Sequence, residues 1–413
     1  MRIGLIGHNS VEYTEKLLEI WAAADNAILI DYDTPPAAAA QLLAECGAKH
    51  CIVERGLDSF SESELGCEIR EYNVTSKMPC LLPASVRALF SVREDEREAV
   101  IINSSGTTGK SKGISLSFRA LINNARSIIG YMKPRADDCF YLNKKLTHAS
   151  SLTGELLVAL LSDADVLFAP LLLPPRAVFR NIERFGVPIL CCNPALLDMY
   201  VSWAGETGDF PECVRAVYTS GDMISTCEIE RARTTLGVPV YNVYGKTECG
   251  PRISAQTEGC CHGNSVGRPI GGVEIKLDSD GQIFVRTNAL FSGYVNRETP
   301  PETLHATGDM GYFDENGELF ITGRTDNMIT VGAHNIFPEA VEACITEYTD
   351  VRDCIVYKKN GVLACDYVSW DEVPDIIRKI RMHLMPYEVP KITKKVDSIP
   401  RTPSGKKMRK REE

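Results

Sequence analysis

Apolar and polar positions along the chain switch between two periods from the first residues onward. Ile3-Gly4-Leu5-Ile6 is a short apolar run with the length of a buried strand. Val11 to Ala24 then places its apolar residues at helical spacing, and Ala27-Ile28-Leu29-Ile30 is a second strand-like run. The theme returns where Val187 to Cys191 precedes the helical Pro194–Trp203, and where Ala216-Val217-Tyr218 precedes Thr219-Ser220-Gly221-Asp222. Val273 to Thr287 reads instead as a hairpin turning at Asp278-Ser279-Asp280-Gly281, and Asn316-Gly317 between apolar runs predicts another. Alternating strands and helices predict layered α/β subdomains, and the hairpins predict a β-rich end. From Asp326 a compact α+β unit begins, with helical Pro338–Glu347, strands near Arg352–Lys358 and Val362–Tyr367, and helical Pro374–Leu384. The expected fold class is α/β, with a large domain over residues 1–325 and a small mobile one over 326–413.

Composition narrows the function. At 413 residues the chain is long enough for two or more domains. A net charge of −10 argues against a nucleic-acid surface, because the one basic run is short and terminal. No apolar run reaches spanning length, and Met1 to Gly7 lacks the features of a secretory signal, so a cytoplasmic protein without a membrane partner is expected. Fifteen cysteines with no C-x-x-C pair are expected to be reduced and mostly buried. Cys249, Cys260, Cys261 and His262 crowd together, but adjacent cysteines suit a single tetrahedral metal poorly, so they read as ordinary residues.

The segment Asn103-Ser104-Ser105-Gly106-Thr107-Thr108-Gly109-Lys110-Ser111-Lys112-Gly113 follows the buried run Ala99-Val100-Ile101-Ile102. Its glycines let backbone N–H groups turn toward an anion, its hydroxyls add donors and its lysines add charge. That chemistry suits a triphosphate. It is not a G-x-x-x-x-G-K-[ST] loop, since the first glycine would fall at Ser104, and Gly113-Ile114-Ser115-Leu116-Ser117 continues as a strand rather than a helix. A hairpin-type phosphate loop is expected. Four more segments carry chemistry: Tyr241-Asn242-Val243-Tyr244-Gly245-Lys246-Thr247-Glu248, Thr307-Gly308-Asp309, Gly323-Arg324-Thr325-Asp326 with Gly332-Ala333-His334-Asn335-Ile336, and Pro400-Arg401-Thr402-Pro403-Ser404-Gly405-Lys406. On its own the last could be a solvated basic tail.

In this order the segments resemble the motifs of the adenylate-forming superfamily, which includes acyl- and aryl-CoA synthetases, peptide-synthetase adenylation domains and luciferases. The resemblance covers nearly the whole chain, with Ser111 where the family has proline and Ala333 where it has a second glycine. It implies the superfamily's two-domain fold and activation of a carboxylic acid by MgATP. It assigns ATP binding to Ser104, Ser105, Gly106, Thr107, Thr108, Gly109, Lys112, Gly221, Asn242, Tyr244, Gly245, Asp309 and Arg324. Tyr244 would stack on adenine, Asp309 accept both ribose hydroxyls, Thr247 touch the α-phosphate and Glu248 hold Mg²⁺. Lys406 would be the catalytic lysine, Asp326 the hinge, and Gly332 with Ala333 would line the tunnel for a thiol of CoA or of a carrier protein's phosphopantetheine. His148, Asn193 and Ser220 would line the acid pocket. No acidic residue occurs from Tyr141 to Gly154, which favours an acyl or aryl acid over an amino acid, and Lys246 and Arg252 are expected near a second anionic group on the substrate. A free-standing amino-acid adenylating enzyme and a non-catalytic nucleotide-binding relative are the alternatives.

Overall fold

The computed structural model describes residues 1–104, 112–295, 304–331, 334–373, 375–401 and 407–409. Two large sheets form the bulk of the molecule. In the first, Asn26–Ile30, Arg2–Ile6, His50–Glu54 and Glu68–Tyr72 run parallel in that order, and Glu98–Ser104 joins them parallel beside Asn26–Ile30. Lys112–Ser117 and Gly293–Tyr294 close this sheet with antiparallel pairings. In the second, Asp165–Phe168, Cys139–Leu142, Ile189–Cys192, Ala216–Thr219 and Val240–Tyr244 are parallel neighbours. Short antiparallel strands extend it at both edges.

Parallel strands covered by helices on both faces must be apolar throughout, and Ile28, Leu29, Ile101 and Leu190 are all buried. The helix Val11–Ala22 shows how local signals reach the core. Ser10 caps it by accepting the Tyr13 N–H at 3.0 Å, and its inner face buries Tyr13, Leu17, Leu18 and Trp21. The Trp21 indole donates to the Ala99 carbonyl at 2.9 Å, tying the helix to strand Glu98–Ser104.

A four-stranded antiparallel sheet supplies the expected β-rich end, from Val273–Leu277 and Gln282–Thr287 to His305–Phe313 and Leu319–Arg324. Both expected hairpins are present in it. Asp353–Lys359, Val362–Val368 and Ile392–Lys395 make a last small sheet, packed with helix Pro338–Tyr348 on a core of its own that includes Ile336, Val341, Ile345, Val356 and Ile380. One element is shorter than its pattern predicts. The helix expected over Pro374–Leu384 spans only Ile376–Ile380, with Pro374 outside the described residues. Residues 381–383 form a turn instead, where the His383 ring stacks on Tyr348 with centroids 3.5 Å apart. Among the described residues no helix is long and apolar enough to cross a membrane.

Candidate active site

Strands Glu98–Ser104 and Lys112–Ser117 pair in register, with Asn103 opposite Gly113 and Ser104 opposite Lys112. The segment between them is therefore closed by a hairpin stem, and the next helix starts only at Phe118. The Ser104 side chain and Ser105, Gly106, Thr107, Thr108 and Gly109 lie outside the described residues. Lys112 is described, and its ammonium stands 5.3 Å from the centre of the Tyr294 ring. Tyr294 reaches this position because its strand pairs with Lys112–Ser117, and its hydroxyl donates to Glu248 Oε1 at 3.0 Å. Lys112 in the hairpin stem and the Glu248 carboxylate thus share one aromatic ring. Sequence reasoning missed Tyr294, whose two-residue strand carries no pattern.

Glu248 sits in the short turn Thr247–Cys249 after strand Val240–Tyr244. Burial works against its charged form, but the Lys246 ammonium and the Tyr294 hydroxyl outweigh it and hold the carboxyl below its usual range. A single ionised carboxylate suits Mg²⁺ that arrives on phosphates, since Mg²⁺ keeps few protein ligands. Among the described residues no group of three His, Cys, Asp or Glu side chains could hold a metal ion. His262 instead bonds Glu318, and Cys249 and Cys260 are buried thiols.

The turn itself is fixed by a close backbone approach. A Cβ on Gly245 would stand 1.6 Å from the Pro251 carbonyl oxygen, so no other residue fits there. This packing explains the glycine without a ligand. Asn242, expected at the adenine edge, is buried and donates its amide to the carbonyls of Asn264 at 3.1 Å and Ser265 at 3.2 Å. Gly221 takes a left-handed φ of 106°, just after Ser220, whose N–H donates to the Cys192 carbonyl.

Tyr244, Asp309 and Arg324 converge. Asp309 and Arg324 are direct cross-strand partners. The Tyr244 hydroxyl donates to Asp309 Oδ2 at 2.6 Å, and Arg324 Nη1 meets Asp309 Oδ1 at 3.1 Å. Asp309 is 5% exposed, yet both its oxygens carry a donor. Arg324 also reaches Asp326 at 3.3 Å, so the expected hinge residue is wired to the same cluster. Lys246 points this way too, bonding the Thr307 carbonyl. It therefore does not share a subsite with Arg252, contrary to expectation.

On the acid side, His148 is exposed at the head of a short helical turn, and Asn193 caps helix Pro194–Thr207 by accepting the Leu196 N–H at 2.8 Å. The Lys144–Leu146 turn is held by Asn9, which accepts from the Leu146 N–H at 2.9 Å and donates to the Lys144 carbonyl at 2.7 Å. Beyond it lies a buried charged group that the sequence pattern did not reveal. Glu155, one residue past the stretch free of acids, is completely buried with Lys144 Nζ 2.6 Å from its Oε1. A lone acid inside the apolar run Leu152–Leu161 was the available signal. Burial pushes the Glu155 carboxyl up despite Lys144 and Arg252.

Lys406, Gly332 and Ala333 lie outside the described residues. Their surroundings are informative. Arg401 and Lys407 form an antiparallel bridge, and Arg401 meets Asp353 at 2.7 Å and Asp222 at 3.6 Å, beside Gly221. Lys407 pairs with Asp353 and Glu342, and Arg409 with Glu342 and Glu339. This part of the basic run is built into the small domain rather than solvated.

Comparison with known proteins now decides the family. A model described as AMP-binding enzyme matches residues 1–295. The chain belongs to the AMP-binding enzyme family. A 2-succinylbenzoate–CoA ligase from Bacillus mycoides (strain KBAB4) is 28% identical over 365 residues, covering 79% of this chain and 71% of the relative. The anthranilate CoA ligase solved with anthranoyl-AMP superposes with a TM-score of 0.85 at 20% identity, covering 98% of this chain and 86% of that one. The O-succinylbenzoate coenzyme A synthetase of Bacillus subtilis, solved with ATP and magnesium ion, gives 0.81 at 21% identity, covering 99% and 88%. The fold is that of the adenylating ligases, and this AMP-binding enzyme is an AMP-forming ligase in architecture.

Proposed function

We propose that this protein is an acid–CoA ligase that activates an aryl or acyl carboxylate and passes it to the thiol of coenzyme A. The observation that carries the reading is that one short segment, Tyr244 to Glu248, contributes to both the Tyr244–Asp309–Arg324 cluster and the Lys112–Tyr294–Glu248 line. One offers acceptors and a ring face to a nucleoside, the other a cation and a carboxylate to its phosphates.

In the first step a substrate carboxylate oxygen attacks the α-phosphorus of ATP, the bond to the bridging oxygen breaks, and pyrophosphate leaves. Residues 104–112 hold the leaving group, Thr247 contacts the α-phosphate, and Asp309 and Arg324 orient the nucleotide. Lys406 places an ammonium between the two reacting anions and neutralises charge as it develops. Mg²⁺ carried by ATP, held by Glu248 and phosphate oxygens, supplies further charge neutralisation. In the second step the CoA thiolate attacks the acyl carbonyl and AMP departs. Residues 326–413 act as the mobile domain, pivoting at Asp326 so that Lys406 withdraws and Gly332 and Ala333 face the thiol.

Supply of ATP, Mg²⁺, CoA and a panel of aryl and aliphatic acids tests this directly. The reading expects one acid class to give acyl-CoA, AMP and pyrophosphate in equal amounts. An acyl-adenylate that accumulates until a phosphopantetheinylated carrier protein is added would replace CoA by that carrier. ATP binding with no acid-dependent AMP would overturn the reading.

A further inference from the structure

We propose that Arg252, flanked by the Lys144–Glu155 pair and Tyr131, is a deep anion subsite of the acid pocket, so that the preferred substrate is an acid bearing a second carboxylate. The proposal rests on the ligase reading above and specifies its substrate.

Arg252 is 4% exposed, and among the described residues no carboxylate stands in ion-pair range of its guanidinium. Its Nε has no hydrogen-bond partner. The nearby acid, Glu155, is spent on Lys144 at 2.6 Å, so two buried cations face one buried anion. An uncompensated buried cation is costly, and in a binding site an anionic ligand removes that cost.

The surroundings are built to hold the guanidinium in place. Arg252 is clamped at its backbone, where its N–H donates to Asn124 Oδ1 at 3.0 Å and its carbonyl accepts from Asn124 Nδ2 at 2.8 Å. Its Nη2 lies 3.1 Å from where a Cβ on Gly154 would be, so glycine leaves the room that it occupies. Gly154 and Glu155 belong to a π-helical stretch, Leu152–Leu157, a costly local geometry that is enriched at functional sites. The Tyr131 phenol and the Cys191 thiol both feel the Arg252 charge, although burial pushes each up to about 12.

Position links the cluster to the reaction. Lys144 follows strand Cys139–Leu142, Cys191 lies near the end of Ile189–Cys192, and Arg252 comes after the Tyr244–Glu248 turn. All three stand at the carboxyl ends of parallel strands, where open α/β sheets bind ligands, and at the same end as Ser220 and Tyr244. The carboxylate to be activated faces ATP, which leaves the interior cation for a second acidic group. Lys246 takes no part, since it turns to Thr307.

The test uses the full chain with ATP, Mg²⁺ and CoA, and acids in matched pairs that differ only by a second carboxylate: benzoate with phthalate, phenylpropionate with its carboxyphenyl counterpart, and heptanoate with pimelate. The wild type is expected to favour the diacid of at least one pair by roughly 100-fold in kcat/KM. Arg252→Met should bring that ratio close to one, and Arg252→Lys should leave an intermediate ratio. A ratio near one in the wild type, or an unchanged ratio in Arg252→Met, overturns the subsite. No turnover of any acid would instead overturn the ligase reading. The subsite is then read from thermal shifts with the same pairs, where the diacid must stabilise the wild type and not Arg252→Met. Equal shifts refute it.

Discussion

The cluster of Tyr244, Asp309 and Arg324 and the cluster of Lys144, Glu155 and Arg252 are both buried charged groups flanking the same sheet end, yet they are finished differently. In the first, each oxygen of Asp309 already has a donor, and Arg324 has a second carboxylate in Asp326. Each cluster leaves one arginine nitrogen, Arg324 Nε or Arg252 Nε, without a hydrogen-bond partner, but in the second a single acid serves two cations. A cluster whose charges are balanced is stable alone, and a nucleotide must exchange hydrogen bonds with it. An unsaturated one, short of a negative charge, is completed by what binds. The difference separates residues whose loss should harm turnover from those whose loss should harm the fold.

The largest effect is expected in the unsaturated cluster. Glu155→Leu leaves Lys144 buried beside Arg252 without a counter-charge and should cost about 3–5 kcal/mol in urea unfolding. Adding Lys144→Met should recover most of that loss. A single variant within about 1 kcal/mol of wild type would show that Lys144 finds water or another acceptor. Asp309→Asn comes next and should act on function instead. It keeps the shape but weakens both partners, so kcat/KM for ATP should fall roughly 100-fold with little change in melting temperature. If melting falls and kinetics do not, the comparison is inverted.

A smaller effect is expected from Tyr294→Phe, which removes one donor from Glu248 and about 1 kcal/mol of interaction. Because that donor favours the ionised carboxylate, its loss raises the Glu248 pKa toward the ordinary value. The acid limb of the pH–rate profile should therefore move to higher pH, and an unmoved limb would separate Glu248 from the rate. The least effect belongs to Arg401→Ala. Its link to Asp222 is 3.6 Å long and partly exposed, so acid-dependent pyrophosphate exchange should change by less than about threefold.

The same contrast decides what the sequence could reveal. Asp309 and Arg324 sit in short local motifs that resemble those of the family, and the Gly-Thr-Thr-Gly segment stands out by its donors. The alternation of strands and helices was equally local, and so were both hairpins of the β-rich end. Glu155, Lys144 and Arg252 lie 11 and 97 residues apart in sequence and meet only because parallel strands end together. Asn9 and Tyr294 are alike in this, since each acts on a partner that no local pattern names. The helix expected over Pro374–Leu384 was over-read because its apolar period runs on through residues 381–384, which the structure folds as a turn and bend.

The most direct test of the adenylation claim is acid-dependent exchange of labelled pyrophosphate into ATP, run beside Lys406→Ala. Exchange that requires one class of acid and falls by orders of magnitude in the variant is the predicted result. Exchange that ignores the acid, or that survives loss of Lys406, would contradict the account.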